Sequence, residues 1–188
     1  QAWSHVDASV SFLSRTDPIE VFEDRMFIYA KGGLSYKVDD LMLTAMIRFD
    51  YTKDTLADLN GVHFYPLASL EYSPNEKIKL IFGIDGGFMQ TAWQSLTREN
   101  PFIEDGLYIS GVNKKSGFYG KIDGSLSSTI GITGGVTVSN LQNSHYFNNL
   151  ASDQSKFEIL YDTGTVRVMN PYLTLNFNND NKYKMNSR

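Results

Sequence analysis

The chain contains no cysteine, which excludes a disulfide framework and any metal held by thiolates. Its three histidines, His5, His63 and His145, are too scattered to suggest a metal site. It has no basic excess: the formal net charge of −4 at pH 7 argues against a nucleic-acid partner, which usually meets a basic face. No apolar run reaches the roughly 18 residues of a membrane helix. Nor is a leader visible, because Gln1-Ala2-Trp3 already reads as the inside of a strand, so an exported protein would correspond to a mature or truncated chain. No segment sustains a 3.6-residue period, so essentially no helix is expected.

What the chain does have is alternation. Its 188 residues, 41% hydrophobic and 20% charged, suit one ordered domain over 1–188 or part of a larger one. The Tyr, Phe, Gly and Thr usage favours strands. From Val62 to Gln90, two period-two segments flank a turn at Ser73-Pro74-Asn75-Glu76. Val62, Phe64, Ala68, Leu70 and Tyr72, then Ile78, Leu80, Phe82, Ile84 and Phe88, share one face, while His63, Glu71, Lys77, Lys79 and Asp85 lie on the other. Ala2–Phe12, Met26–Tyr36, Leu41–Tyr51, Phe118–Leu126 and Ile130–Ser139 repeat the design. Lys156–Tyr161 and Thr165–Met169 flank Asp162-Thr163-Gly164, which reads as a hairpin tip. A last strand runs to Phe177. Loops are expected at Ser14–Glu20, Thr52–Gly61, Thr91–Asp105 and Asn140–Ser155, with Trp93 and Phe102 anchoring the third. Turns are expected near Asp39, Asn75, Ser127-Ser128 and Asn178–Lys182. Tyr183 begins a further segment.

The expected fold class is therefore all-β, an antiparallel up-and-down transmembrane β-barrel of about eight strands. Short turns gather at one end and long loops at the other. Strands of about 11–13 residues, rising ~3.3 Å each with a tilt of about 40°, approach the ~25–30 Å of a bilayer core. Tyr36, Tyr51, Tyr72 and Phe177 sit at strand ends on the apolar face, where an aromatic girdle belongs. On this reading the apolar face meets outer-membrane lipid. The lumen-facing charges are then Lys31, Arg48, Lys77, Lys79 and Lys121 against Asp7, Asp50, Glu71, Asp85 and Asp123, able to neutralise one another. The same alternation turned inside out fits a soluble β-sandwich or calycin-like barrel with a ligand site.

Catalytic signals are sparse. Asp85-Gly86-Gly87 and Gly134-Gly135 lack the Lys-Ser/Thr ending and helix context of a phosphate loop, and read as sites of curvature or close packing. Nothing fixes the separation of Asp85 and Asp123, and no Ser/His/Asp set gathers at the loop end. No enzyme activity, cofactor or metal is expected. Trp93, Leu96, Arg98, Asn100, Phe102 and Ile103 form the candidate ligand or partner loop, with a self-packed loop as the competing expectation.

The segment Phe88-Met89-Gln90-Thr91-Ala92-Trp93-Gln94-Ser95-Leu96-Thr97-Arg98-Glu99-Asn100-Pro101-Phe102-Ile103 resembles a stretch in outer-membrane β-barrels of Bacteroidota. There a strand with a glycine pair runs into an aromatic, then Ser-Leu, then Glu-Asn-Pro-Phe. Phe157–Val166 resembles a late hairpin of the same group. These barrels are similar to TonB-dependent receptors. The resemblance covers about half of the chain and implies uptake across, or structural assembly in, the bacterial outer membrane, with outer-membrane or periplasmic proteins as partners. The chain departs from the pattern: it shows no plug, no TonB-contacting segment and no terminal aromatic, ending Met185-Asn186-Ser187-Arg188. A fragment of a larger barrel is the favoured expectation, and a small closed eight-stranded barrel is the other.

Overall fold

A computed structural model describes residues 1–16, 22–53, 59–104, 107, 109–125, 127, 129–179 and 183–187. Nine strands form one antiparallel sheet: β1 (Ala2–Thr16), β2 (Phe22–Val38), β3 (Leu41–Lys53), β4 (Gly61–Asn75), β5 (Ile78–Met89), β6 (Val112–Ser125), β7 (Ile130–Asn149), β8 (Phe157–Asn179) and β9 (Tyr183–Ser187). They lie side by side in chain order, from β1 at one edge to β9 at the other. One short helix, α1 (Trp93–Glu99), joins β5 to β6.

The expectation of a closed barrel is corrected here. The sheet is open: among the described residues β1 pairs only with β2 and β9 only with β8, so no ladder joins the two edges. The count rises from about eight strands to nine, and the expectation of essentially no helix gives way to α1. Asp162-Thr163-Gly164 is no hairpin tip. It lies inside the 23-residue β8, where the ladder with β7 shifts register between Gln142 and Ser144. The expected loop from Asn140 continues β7 as far as Asn149, and Ser14–Thr16 belong to β1. Asp17-Pro18, the middle of the Thr52–Gly61 loop (54–58), Asp105, Leu126, Ser128 and the 180–182 part of the last turn lie outside the described residues.

Two neighbouring rows of the ladder show how the alternation sorts the faces. Leu34, Ala45, Ala68, Ile84, Phe118, Val138 and Met169 pair in turn from β2 to β8. The next row reads Ser35, Thr44, Ser69, Gly83, Tyr119, Thr137 and Asn170. The burial is inverted relative to a water-soluble sheet. On the apolar face Leu34, Phe118 and Met169 are 66%, 56% and 64% exposed, whereas on the polar face Ser35 and Thr44 are 2% and 8% exposed. Val6, Phe12, Leu43, Ile47, Phe64, Phe82 and Leu173 extend the uncovered apolar surface across the sheet. The polar face is the one around which the sheet wraps.

Glycines on that face make room for large neighbours. Gly33, Gly83 and Gly135 pair directly with Met46, Tyr119 and Tyr172. A Cβ at each would stand within 2.4 Å, 2.4 Å and 2.8 Å of those side chains. Each large side chain therefore lies flat across the glycine opposite it.

Candidate functional site

The charges expected on one face do share it, and most pair locally. Lys31 Nζ lies 2.9 Å from Asp7, Lys79 Nζ 2.8 Å from Glu71 and Lys121 Nζ 2.7 Å from Asp123. Asp85 is held by Lys114, at 2.6 Å, a residue the sequence reading did not single out. These pairs are partly exposed and salt-screened, so each contributes little to stability. Lys77 sits at the short-turn end, where its backbone N–H donates to Asn75.

Arg48 and Asp50 differ from the rest. Asp50 is 2% exposed. Its carboxylate accepts from Arg48 Nε at 2.7 Å and from the Phe88 backbone N–H at 2.6 Å. Arg48 also donates to the Phe88 carbonyl at 3.2 Å, and its guanidinium lies 4.9 Å from the Tyr29 ring centroid. A desolvated carboxylate survives only with such charge-assisted partners. Phe88 lies on β5 and Asp50 on β3, yet β4 lies between them in the sheet.

The reason is a bend in β5. The β4–β5 ladder stops at Ala68–Ile84. Beyond it the β5–β6 ladder shifts register between Asp85 and Gly87, and the β6–β7 ladder between Lys114 and Ser116. Here β5 parts from β4 and its end crosses inward over the polar face, still paired with β6, which keeps its ladder to β7 at Asn113 and Lys114. Gly86 and Gly87 permit the passage. A Cβ on Gly86 would meet the Tyr65 ring at 2.8 Å, and one on Gly87, whose φ is +154°, would meet the Arg48 guanidinium at 2.6 Å. Tyr65, buried beneath the crossing, donates to Asn113 Oδ1 at 2.7 Å. Phe88 then stacks on Phe27 of β2 at 5.4 Å, with Leu59 completing a buried cluster. Arg25 of β2 donates to the Thr91 carbonyl at 3.0 Å.

The other end of the infold rests on β7 and β8. Leu96 of α1 packs with Ile103, Ile109 and Ile159, flanked by Trp93, Leu107, Phe147, Phe157 and Tyr161. Backbone bonds tie Phe157 N–H to the Phe102 carbonyl and Glu104 N–H to the Phe157 carbonyl, both at 2.9 Å. Asn143, buried, donates to Ser110 Oγ and the Gly111 carbonyl. Lys156 pairs with Glu104 at 2.7 Å, and His145 Nε2 lies 3.3 Å from Glu99. Of the candidate loop residues, Leu96 and Ile103 are buried in this cluster and Trp93 packs against it. Arg98 and Phe102 are exposed and Asn100 is half-buried, with its side chain accepting from the Phe102 N–H. Phe102 is thus no anchor.

Near β1 a cleft of about 570 Å³ is lined by residues including Trp3, His5, Lys31, Met42, Thr44 and Met46. His5 Nε2 lies 2.9 Å from Ser35 Oγ, which lies 2.7 Å from Thr44 Oγ1. No described group of three or more His, Asp or Glu could hold a metal ion, and no described helix is long and apolar enough to cross a membrane.

Solved structures share this architecture. The FrpB iron transporter from Neisseria meningitidis (F3-3 variant) matches over 95% of the chain with a TM-score of 0.59 at 13% identity. The copper transporter OprC matches over 94% with a TM-score of 0.56, also at 13% identity. The likeness is one of fold. The chain spans about a third of each structure's length, 31% and 32%. No protein-family model and no curated protein matches the chain.

Proposed function

We propose that the sheet is wall in a larger outer-membrane protein of the TonB-dependent-receptor-like kind, serving uptake or structural assembly in the bacterial outer membrane. The observation that carries this reading is the inverted burial: an apolar face left bare across the sheet and a polar face crowded with paired charges. Lipid hydrocarbon suits the first and a confined aqueous interior the second. An open sheet in hydrocarbon leaves its edge N–H and C=O groups unbonded, at several kcal/mol each. The reading therefore requires further strands beyond β1 and β9. Two transporter structures of about three times the length, sharing the sheet's architecture, support that requirement.

A second reading takes the same sheet as one layer of a soluble ligand-binding domain whose apolar face packs on another layer. The open edges favour it, since a sandwich layer is open by construction. Detergent dependence separates the two. The membrane reading expects the full-length protein to float with lipid vesicles, to resist alkaline extraction and to aggregate without detergent. A stable, detergent-free monomer would sink it.

A further inference from the structure

We propose that the apolar face carries a site for a lipid bearing a phosphate group, with an acyl chain in the hollow over Gly120 and the phosphate on Arg167. The proposal rests on the membrane reading above and goes beyond it by assigning one patch of that face to a particular class of lipid. A shallow groove of about 510 Å³ opens there, walled by Leu43, Leu70, Phe82, Phe118, Val136 and Val138. Its shape follows from residue size. Ala68 and Gly120, also in the lining, put almost no side chain between those larger neighbours. Gly120 pairs with Phe82 on one side and Val136 on the other. The groove lies where the β4–β5 ladder ends, at Ala68–Ile84. Gly86, two residues further along β5, has no side chain and lies close against the Tyr65 ring instead.

The rim of the groove at the loop end is polar and cationic. One pleat above Phe118, Val138 and Met169 runs the row Ser116, Asn140 and Arg167. The β7–β8 ladder is regular from Ile130–Phe177 to Gln142–Thr165, so Arg167 emerges on the same face as Met169. Arg167 Nε donates to Asn140 Oδ1 at 3.3 Å, and Asn140 Nδ2 donates to Ser116 Oγ at 3.0 Å. These bonds fix one edge of an exposed guanidinium and leave its terminal N–H groups for an anion. Lys115, exposed at the register shift beside Ser116, adds a second positive charge. The Asp162 carboxylate, farther along β8, is taken by the Gly164 N–H. A guanidinium fork matches phosphate oxygens two at a time, which an ammonium does not. Four residues separate Gly120 from Ser116, about 13 Å of strand at ~3.3 Å each, so one amphiphile reaches from hollow to rim. The groove without the rim would take any hydrocarbon, and the rim without the groove any anion.

The test compares the full-length parent with R167Q, G120L and a control, R98Q, which removes an exposed arginine of α1 on the other side of the sheet. G120L fills the hollow, and its first added carbon meets only the Phe82 ring, at 3.4 Å, so the strand accommodates it. Binding of dioleoyl phosphatidic acid is titrated in detergent by native mass spectrometry. Dioleoylglycerol, with the chains but no phosphate, and inorganic phosphate, with no chains, are the competitors. The parent and R98Q are expected to hold one phosphatidic acid, and R167Q to hold it roughly tenfold less tightly through loss of a charge-assisted bond. G120L is expected to weaken it as well, and both competitors to displace it poorly. Equal affinity in the parent, R167Q and G120L overturns the site. Dioleoylglycerol binding as tightly as phosphatidic acid overturns the role of Arg167, and displacement by equimolar inorganic phosphate overturns the lipid assignment. Flotation with phosphatidylcholine vesicles reads the membrane assignment separately. A protein that floats yet shows no lipid preference retains the membrane reading and refutes the site. Selective binding by a protein that does not float does the reverse.

Discussion

Met169 and Asn170 are consecutive residues of β8 on opposite faces, and an arginine at each interrogates the two surfaces with the backbone held constant. Met169 lies in the row that runs through Ala45 and Ala68, near the middle of the apolar span of β3 from Leu41 to Tyr51. Its side chain is 64% exposed, so M169R breaks almost no contact within the sheet. In water it would be nearly silent, within about 0.5 kcal/mol, as surface substitutions are. At a bilayer midplane the same change costs roughly 2–4 kcal/mol, or about 30- to 700-fold in the folded-to-unfolded ratio at ~1.4 kcal/mol per tenfold. N170R meets the exposed polar face beside Thr137 and is expected within about 0.5 kcal/mol in either setting. The assay is urea unfolding of the full-length protein refolded into thin-bilayer vesicles, read by tryptophan fluorescence. Equal midpoints for M169R and N170R would refute the assignment of the apolar face to lipid. A larger loss for N170R would mean that the faces are reversed.

Gly83→Val puts a branched side chain where the Tyr119 ring lies and is expected to cost about 1–3 kcal/mol by overpacking; Y119A in the same chain should recover much of that loss, and additive costs in the double-mutant cycle would show that the two residues are independent. In the loop before β8, the Ser155 hydroxyl and backbone N–H hold the Asp153 carboxyl below its ordinary range. Its contribution is present above the unfolded pKa and lost as pH falls through the depressed folded one, so NMR titration should show S155A raising the Asp153 midpoint, and an unmoved midpoint would deny the bond. Removing the exposed pair with K79A should change stability by less than about 1 kcal/mol, and a larger urea-midpoint shift would show that Glu71 depends on it.

Local alternation made the faces legible. The rows through Ala45 and Thr44, the turns at Asp39 and Asn75, and the sharing of one face by Arg48, Glu71, Lys79 and Lys121 follow from a period of two. Closure was not legible, because a strand's pattern says which face is apolar but not whether its outer edge has a partner. The polar run Asn140–Asn149 reads as a loop by composition, yet it is strand, because β8 pairs with it and buried Asn143 satisfies Ser110 and Gly111. Seven residues of α1 are too few for a helical period to stand out, and helices of that length depend on packing for stability, here that of Leu96 on Ile159. The segment Thr91–Asp105 was read as an ordered loop whose apolar residues either offer a contact surface or pack on the protein itself. Trp93, Leu96 and Ile103 are spent on packing the segment against Ile159 of β8. The glycine pair was read as a place of close packing, which it is; what passes beneath it, Tyr65 and Arg48, lies far away in sequence and could not be inferred from spacing.

The glycines facing Met46, Tyr119 and Tyr172 have a consequence for how the strands find one another. A slip of one residue throws apolar side chains onto the polar face and is rejected by solvent alone. A slip of two preserves every face and leaves the hydrophobic pattern satisfied. It would bring Tyr119 against Ile81 or Asp85, and Tyr172 against Thr133 or Thr137, where no vacancy receives the ring. Each ring and its glycine thus act as a key and notch, reading alignment at the one interval to which alternation is blind.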